Sequence, residues 1–229
     1  IPHPECKRKQ IKVKIKNSSI NHLDLWVRSG IPGMHLKLPM VMGSDATGII
    51  EEIGADVKGY RVGDDVVIQP GVYDPACKFS KKGEENLSPS YGILGETHNG
   101  VQSEYLVLDP IHVYRMPASF SHAEISSMPL TFMTAYQMLF EKARILHDDI
   151  ILIYGGSSGV GSAAIQIAKD FGLGNISNLG FENEKKGTKS SFTCPFHGWT
   201  YDDSGKLIAF PKPDHFGEIN KSCYGLTEL

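Results

Sequence analysis

The most constraining feature of this chain is a glycine-rich turn between a short apolar segment and a helical segment, within residues 150–169. The apolar run at 150–154 is typical of a fully buried parallel strand. Small residues at Ser162, Ala163 and Ala164 suit a helix whose first turn packs closely on a sheet. A helix N-terminus presents N–H groups and a partial positive charge, so this order predicts a site for the pyrophosphate of a dinucleotide.

The turn itself supplies the candidate cofactor-binding residues. Gly156 permits a tight turn, while Gly159 and Gly161 let the backbone approach phosphate and the helix approach the strand. Ser158 stands where the usual fingerprint has its second glycine. The alternative is a loop that only caps the helix, but the strand before it and the helix after it favour nucleotide binding. The candidate residues are Gly156, Ser157, Ser158, Gly159, Val160 and Gly161.

The segment after this helix predicts an incomplete nucleotide-binding fold. Such a fold needs a second apolar strand that ends in an acidic residue about twenty residues past the glycines. The segment 175–191 is polar and predicts no buried strand, and Asp202 and Asp203 come too late in the chain. We therefore expect binding of NADP or NAD to be weak or lost, with the choice between them open.

Composition excludes several classes of protein. The 229 residues, 41% of them hydrophobic, are enough for one large or two small domains with a core. A net charge of −3 gives no electrostatic argument for nucleic acid or an anionic membrane as a partner. No stretch has the length and apolarity of a membrane span. Four scattered cysteines and a polar start without a signal peptide favour a reducing cytoplasm.

Ahead of the glycine-rich turn, the pattern changes from strands to helices. Short apolar or alternating segments, punctuated by glycines, predict a small β-rich barrel. Helical periodicity then predicts helices at 123–128 and 131–143. The expected fold class is α/β plus β. The predicted strands are at 11–19, 46–53, 65–69, 103–108 and 112–115.

Several motifs carry a family resemblance. They are Asn-Ser-Ser-Ile-Asn-His-Leu-Asp-Leu-Trp-Val-Arg-Ser-Gly at 17–30, Met-Gly-Ser-Asp-Ala-Thr-Gly at 42–48, Gly-Tyr-Arg-Val-Gly-Asp-Asp-Val-Val at 59–67, Ser-Glu-Tyr at 103–105, Pro-Leu-Thr-Phe-Met-Thr-Ala-Tyr at 129–136, and the glycine loop. From about residue 10 to about 172 the chain resembles the medium-chain dehydrogenase/reductase superfamily.

The resemblance implies three regions. A chaperonin-10-like β-barrel catalytic domain is expected over 1–120. Linking helices and the truncated start of a Rossmann fold are expected over 121–172, with Thr134 among the cofactor-binding residues. A small β-rich segment is expected over 173–229.

The metal positions of the family indicate the subtype. The family's zinc enzymes have a catalytic Cys where this chain has Asn21 and a catalytic His where it has Ser44, and neither replacement suits zinc. Neighbouring His22 and Asp45 are expected to point elsewhere. The pattern is similar to the zinc-independent quinone and enoyl reductases, which implies that Asn21 orients substrate and nicotinamide. Alternatively, Asn21 and Asp24 only cap a short helix, and for Asp24 this structural role is favoured.

A second metal position of the family is a lobe with four cysteines in a C-x₂-C-x₂-C-x₇-C spacing. The aligned residues here are Asp74, Cys77, Ser80 and Ser88. A single thiolate with one carboxylate and two hydroxyls is a poor cage for zinc. We expect no structural zinc and a looser loop at 73–90.

Residues from about 181 to 229 resemble the second half of a Rieske iron–sulfur motif. Cys194 and His197, followed by Gly-Trp, match that half. A Rieske cluster needs two Cys and two His ligands, and no Cys in this chain is followed two places later by His. A [2Fe–2S] cluster is therefore expected only if another chain completes the ligands. The favoured alternative is a small hairpin around 202–205 with Cys194 and His197 unligated.

The sequence thus supports three functional hypotheses. By lineage the chain is an NAD(P)H-dependent oxidoreductase of the zinc-independent type, impaired by truncation, that transfers hydride to a small-molecule carbonyl, enone or quinone. The alternatives are a Rieske-type electron-transfer segment and an inactive fused fragment. Neither nucleic acid nor a membrane is an expected partner, and a homodimer is left open. Two partial motifs meet near 172–182, which predicts a truncated reductase fused to a truncated Rieske segment. How such a fusion arose stays open.

Overall fold

The computed structural model describes residues 3–31, 33, 36, 38–174, 176–179, 191–193, 200–202 and 207–209. The chain divides into two compact units, Ile1–Leu130 and Thr131–Leu229, which we call the N-terminal and C-terminal units. In the described residues no helix is both long enough and apolar enough to cross a membrane.

An antiparallel sheet forms the centre of the N-terminal unit. Five strands lie in the spatial order β6-β1-β2-β3-β7, and a separate two-stranded ladder joins β4 to β5. The strands are β1 (Ile11–Ser18), β2 (Ala46–Ile53), β3 (Asp65–Ile68), β4 (Gly71–Val72), β5 (Gly92–Ile93), β6 (Tyr105–Leu108) and β7 (Val113–Arg115).

Alternation of apolar and charged residues explains how β1, which lies between β6 and β2, buries one face. Ile11 and Val13 are fully buried, and Lys12 on the opposite face pairs with Glu52 of β2 at 3.2 Å. Apolar residues of the neighbouring strands complete a single core. Since strand side chains alternate between faces, this register buries one set, leaves Lys14 and Lys16 exposed and keeps Lys12 half-buried.

Short helices occupy the connections of the N-terminal unit. A helix that begins at Asn21 carries an acidic residue in its first turn and a basic residue in its last turn, as the helix dipole favours. Three single 3-10 turns lie at Ser80–Lys82, Glu85–Leu87 and Pro110–His112. The α-helices are α1 (His22–Ser29) and α2 (His122–Ser126).

The C-terminal unit contains a strand–helix–strand arrangement. Helix α3 (Pro129–Tyr136), whose first two residues still belong to the N-terminal unit, runs into a π-helical stretch at Gln137–Lys142. Strand β8 (Ile151–Tyr154) then leads to α4 (Gly159–Asp170) and to β9 (Ile176–Leu179). The alanines of α4 are buried in a second apolar core with Leu139, Ile145 and Leu173.

A second strand, β9, follows α4, although the polar sequence predicts no buried strand there. β9 pairs with β8 in parallel, with Ile151 opposite Ile176 and Tyr154 opposite Leu179. The segment is polar because Ser177 and Asn178 lie between its apolar residues. Ladder hydrogen bonds are made by the backbone, so such a segment pairs with a suitable neighbour nonetheless. The described residues therefore include a complete β8-α4-β9 unit.

The prediction that β8 is buried on both faces is wrong. Ile151 and Ile153 are half-buried on the face that packs with the α4 core, whereas Leu152 is 45% and Tyr154 66% exposed. α4 covers one face of this two-stranded sheet. The apolar run reads as doubly buried because strands in larger parallel sheets have helices on both faces.

Three further short strands form an antiparallel sheet in the order β10-β11-β12. β11 and β12 flank residues 203–206, as the hairpin hypothesis requires. Cys194 and His197 lie outside the described residues. The strands are β10 (Ser191–Thr193), β11 (Thr200–Asp202) and β12 (Leu207–Ala209).

Candidate functional site

The start of α1 is held by the carboxylate of Asp24. Its Oδ2 accepts a hydrogen bond from the backbone N–H of Asn21 at 2.7 Å, and its Oδ1 accepts from that of Gly43 at 3.2 Å. The Asp24 residue is only 6% exposed. A carboxylate that satisfies two backbone donors ties the helix start to the segment before β2, which is the structural role favoured for Asp24 above.

The side chain of Asn21 faces a different carboxylate. Its Nδ2 donates to Oδ2 of Asp45 at 2.9 Å. The prediction that Asp45 points elsewhere is therefore wrong. Ser18 at the end of β1 pairs with Ala46 at the start of β2, so the residues that flank these strand ends become neighbours. Only this antiparallel register, which the sequence does not display, brings Asp45 to Asn21.

Asp45 is fully buried, with 0% of its surface exposed. Its Oδ1 accepts from the backbone N–H of Leu130 at 2.8 Å, and Ser19 Oγ lies 3.5 Å from Oδ2. Burial raises the pKa of Asp45 from its ordinary 3.8 to about 6, and the nearby Asp24 adds to the rise while the bonds from Asn21 and Leu130 oppose it. A buried carboxyl with a perturbed pKa marks this cluster as a candidate site.

Ser44 has a packing role. It is fully buried, and its Oγ donates to the carbonyl oxygen of Leu94 at 2.7 Å. An amide at Asn21 and a hydroxyl committed to a carbonyl do not form a zinc site, because zinc is bound by thiolate, imidazole or carboxylate. Among the side chains that the structure describes, no group of three or more His, Cys, Asp or Glu could hold a metal.

Three of the four residues at the family's second metal position, Cys77, Ser80 and Ser88, lie together, whereas Asp74 does not join them. Cys77 Sγ lies 3.1 Å from Ser80 Oγ and accepts from the Ser80 backbone N–H at 3.3 Å. Hydrogen bonds from Ser80, then from Ser88, lower the pKa of Cys77 to about 7. Asp74 instead accepts from the backbone N–H of Ala76 at 2.8 Å. One thiol with two hydroxyls does not fit zinc, and looser packing of this loop stays a prediction.

The glycine loop of the C-terminal unit shows why serine stands at the position of the second glycine. Ser158 is the N-cap of α4: its backbone is extended, and its Oγ accepts from the N–H of Gly161 at 3.0 Å. Its own N–H donates to the carbonyl of Gly155 at 2.8 Å, which closes the turn. An N-cap serine satisfies one of the first-turn N–H groups that a helix leaves without intrahelical partners.

Two glycines of this loop differ in what surrounds them. A Cβ on Gly161 would lie 2.1 Å from the carbonyl oxygen of Gly155, so this position must be glycine for α4 to begin so close to the turn. A Cβ on Gly159 would lie 3.0 Å from Cγ2 of Thr131. Thr131 of α3, which the sequence did not single out, therefore adjoins the loop, while the predicted Thr134 is an exposed residue of α3.

Comparison with known proteins agrees with this architecture. Residues 7–118 match the alcohol dehydrogenase GroES-like domain. A solved NAD-dependent alcohol dehydrogenase superimposes with a TM-score of 0.72 and 41% identity, over 78% of this chain and 51% of that one. The chain belongs to the medium-chain dehydrogenase/reductase superfamily. Its fold is the GroES-like domain followed by the start of a Rossmann-like fold, as predicted.

Two curated relatives show how much of the superfamily's length is present. An NAD-dependent alcohol dehydrogenase of Sulfurisphaera tokodaii is 30% identical over 74% of this chain and 50% of its own length. A zinc-type alcohol dehydrogenase-like protein of Schizosaccharomyces pombe is 32% identical over 77% of this chain and 49% of its own length. The chain spans about half the length of these relatives.

Residues 177–222 match the Rieske [2Fe-2S] domain. This match includes Cys194 and His197, which are not among the described residues. The donor set in the sequence does not fit a Rieske cluster, since the chain has no Cys-x-His pair to supply the other two ligands.

Proposed function

We propose that this chain is an NAD(P)H-dependent oxidoreductase of the zinc-independent quinone or enoyl reductase type, which reduces a carbonyl, enone or quinone. The observation that carries the proposal is the pair of residues at the catalytic zinc positions of the superfamily. Asn21 presents an amide and Ser44 a hydroxyl that is bonded to Leu94, so activation of the substrate by zinc is unsupported. The relatives named NAD-dependent alcohol dehydrogenase support a nicotinamide cofactor.

The loop from Gly156 to Gly161 would hold the cofactor's pyrophosphate. The first turn of α4 directs backbone N–H groups and the positive end of the helix dipole toward that loop. Gly161 leaves no side chain between helix and turn, and Ser158 fixes the position of the first helical turn. These features fit a phosphate-binding turn. When bound, NAD(P)H supplies the hydride.

Asn21 would orient the acceptor. Its Nδ2 has two N–H groups, of which one donates to Asp45. The other N–H is then available to the carbonyl oxygen of the acceptor, where negative charge develops as hydride arrives. A preformed donor aimed at developing charge stabilises the transition state more than the ground state. The proton that completes the reduction comes from solvent.

Cofactor titration and turnover test this proposal. We expect saturable but weak quenching of protein fluorescence by NADPH or NADH, and oxidation of the bound cofactor, followed by its absorbance, when a quinone or enone is added. Asn21→Ala should reduce turnover by about a hundredfold to a thousandfold, the range for loss of one oriented donor, without weakening cofactor binding. Full turnover by Asn21→Ala would contradict the role of Asn21. Absence of cofactor binding by the wild type would contradict the function.

Metal content gives a second test. We expect neither zinc nor iron at one equivalent per chain, because Asn21, Ser44 and Ser80 stand at ligand positions for zinc and the Rieske ligand set is half present. Elemental analysis of protein purified without chelators measures both. A stoichiometric zinc would overturn the zinc-independent subtype. An iron–sulfur signal after anaerobic reconstitution that His197→Ala removes would favour the electron-transfer function instead.

A further inference from the structure

We infer that Asp45 is a positioning residue that fixes which end of the Asn21 amide faces the acceptor. The inference rests on the proposed function, because it assigns to Asp45 the orientation of the group that would bind the substrate. It gives a role to Asp45, a residue that the sequence predicts to point away from this site.

The chemistry of the two side chains makes the orientation specific. The oxygen and nitrogen ends of an asparagine amide have nearly the same shape, so packing alone does not choose between them. An ionised carboxylate only accepts hydrogen bonds. Since Asp45 Oδ2 lies 2.9 Å from the amide of Asn21, it accepts from Nδ2, and the opposite orientation would set two oxygens against each other.

Asp45 is itself held in place from several sides. Its Oδ1 accepts from the N–H of Leu130, near the start of α3, and its backbone carbonyl accepts from the N–H of Ser19 at 3.2 Å. Full burial leaves the carboxylate no room to rotate into solvent. A side chain anchored at both carboxylate oxygens can therefore impose an orientation on its partner.

The energetic cost of this arrangement points to a role beyond packing. No salt bridge among the described side chains includes Asp45, and the charged group that acts on it, Asp24 of α1, is also negative. Its other contacts, with Ser19, Asn21 and Leu130, are uncharged. Burial of a carboxylate without a cation is costly, and an uncharged residue of similar size would fill the same space more cheaply.

The orientation depends on the charge of Asp45. When the carboxyl is protonated, it gains an O–H that can donate to Oδ1 of Asn21, so Asp45 no longer selects one orientation of the amide. Asp45 then no longer fixes which end of the amide faces the acceptor. If Asp45 orients the Asn21 amide, the environment of that amide must therefore change when Asp45 is protonated.

Nuclear magnetic resonance of the ¹⁵N-labelled chain tests the orientation without turnover. The side-chain amide signals of Asn21, identified by their loss in Asn21→Ala, should shift with a midpoint near pH 6, where burial places the pKa of Asp45. In Asp45→Asn they should not shift. The amide of Asn99, whose Oδ1 accepts from Val41 N–H, is the control within the same spectrum. Asn21 signals that stay constant in the wild type overturn the inference, even if the variant does not fold.

Turnover tests the consequence for the reaction. Asp45→Asn should lower kcat for acceptor reduction, by up to about a hundredfold, more than it changes KM for the cofactor, and should remove an inflection near pH 6 from the rate profile. Asp56→Asn, at an exposed carboxylate paired with Arg8, should leave both unchanged. A wild-type chain that shows the resonance shifts but no turnover overturns the proposed function and leaves the Asn21–Asp45 pair standing. Equal kcat and pH profiles in Asp45→Asn and wild type overturn the inference.

Discussion

Gly161→Ala is expected to destabilise the β8-α4-β9 unit by about 3 kcal/mol, at the upper end of the cost of overpacking. The added Cβ would lie 2.1 Å from the carbonyl oxygen of Gly155 and 2.8 Å from Cα of Gly156. Both atoms belong to the backbone, so relief requires the first turn of α4 to move away from the loop. Urea denaturation followed by circular dichroism measures the loss.

The matched control for this prediction is Gly174→Ala. No atom lies within 4 Å of a Cβ built on Gly174, and its backbone does not adopt a positive φ. We expect that substitution to change the free energy of unfolding by less than about 0.5 kcal/mol. Equal stability of both variants would show that the loop adapts to a side chain at Gly161. The Gly161 variant should also lose the quenching by NADPH, since the displaced helix start no longer presents its N–H groups to the pyrophosphate.

Asp45→Asn is expected to change how stability depends on pH. In the wild type, burial raises the pKa of Asp45 from 3.8 to about 6. Between these values the carboxyl is protonated in the folded chain and ionised in the unfolded chain, so unfolding releases a proton. The protonated Asp45 therefore contributes stability to the folded chain. This contribution is fully present below pH 3.8 and is lost as pH rises through about 6. With 1.36 kcal/mol for each pKa unit, the loss is about 3 kcal/mol.

The variant lacks this ionisable group, so its stability relative to the wild type should rise by about 3 kcal/mol between pH 3 and pH 7. In the variant, the side-chain oxygen of the new asparagine still accepts from Leu130 N–H. The amide of Asn21 can turn so that its oxygen accepts from the NH₂ group of that new asparagine. Urea denaturation of both proteins across this pH range gives the difference directly, and contributions from Asp56, Asp64 and other carboxyls cancel. A constant difference between the two proteins would show that Asp45 is not buried as a charged group.

Local patterns determined most of the elements. Alternation of Ile11, Lys12 and Val13 identifies β1 because side chains of a strand point to opposite faces, and one face is buried. Glycines and a following serine cap identify the start of α4, because helix ends need donors and acceptors from nearby residues. These features act over a few residues, so the sequence displays them directly.

Local sequence is a poor guide where a neighbour distant in the chain decides the structure of a segment. β9 looks like a loop because two of its four residues are polar, and only pairing with β8 makes it a strand. β8 looks doubly buried because it is apolar throughout, yet Leu152 and Tyr154 are exposed where α4 does not cover them. Apolarity shows that a segment can be buried, but it does not say how many neighbours cover it.

The candidate site likewise combines features that the local sequence shows with features that depend on distant neighbours. The sequence by itself determined that Asn21 and Ser44 stand at the superfamily's zinc positions and that their side chains do not suit zinc. Only the tertiary structure decided that Asp45 contacts Asn21, because the contact depends on the pairing of Ser18 with Ala46 across two strands. It also decided that the hydroxyl of Ser44 donates a hydrogen bond to the carbonyl oxygen of Leu94, fifty residues away. Residue type sets what a side chain can bind, whereas long-range strand register sets which groups it meets.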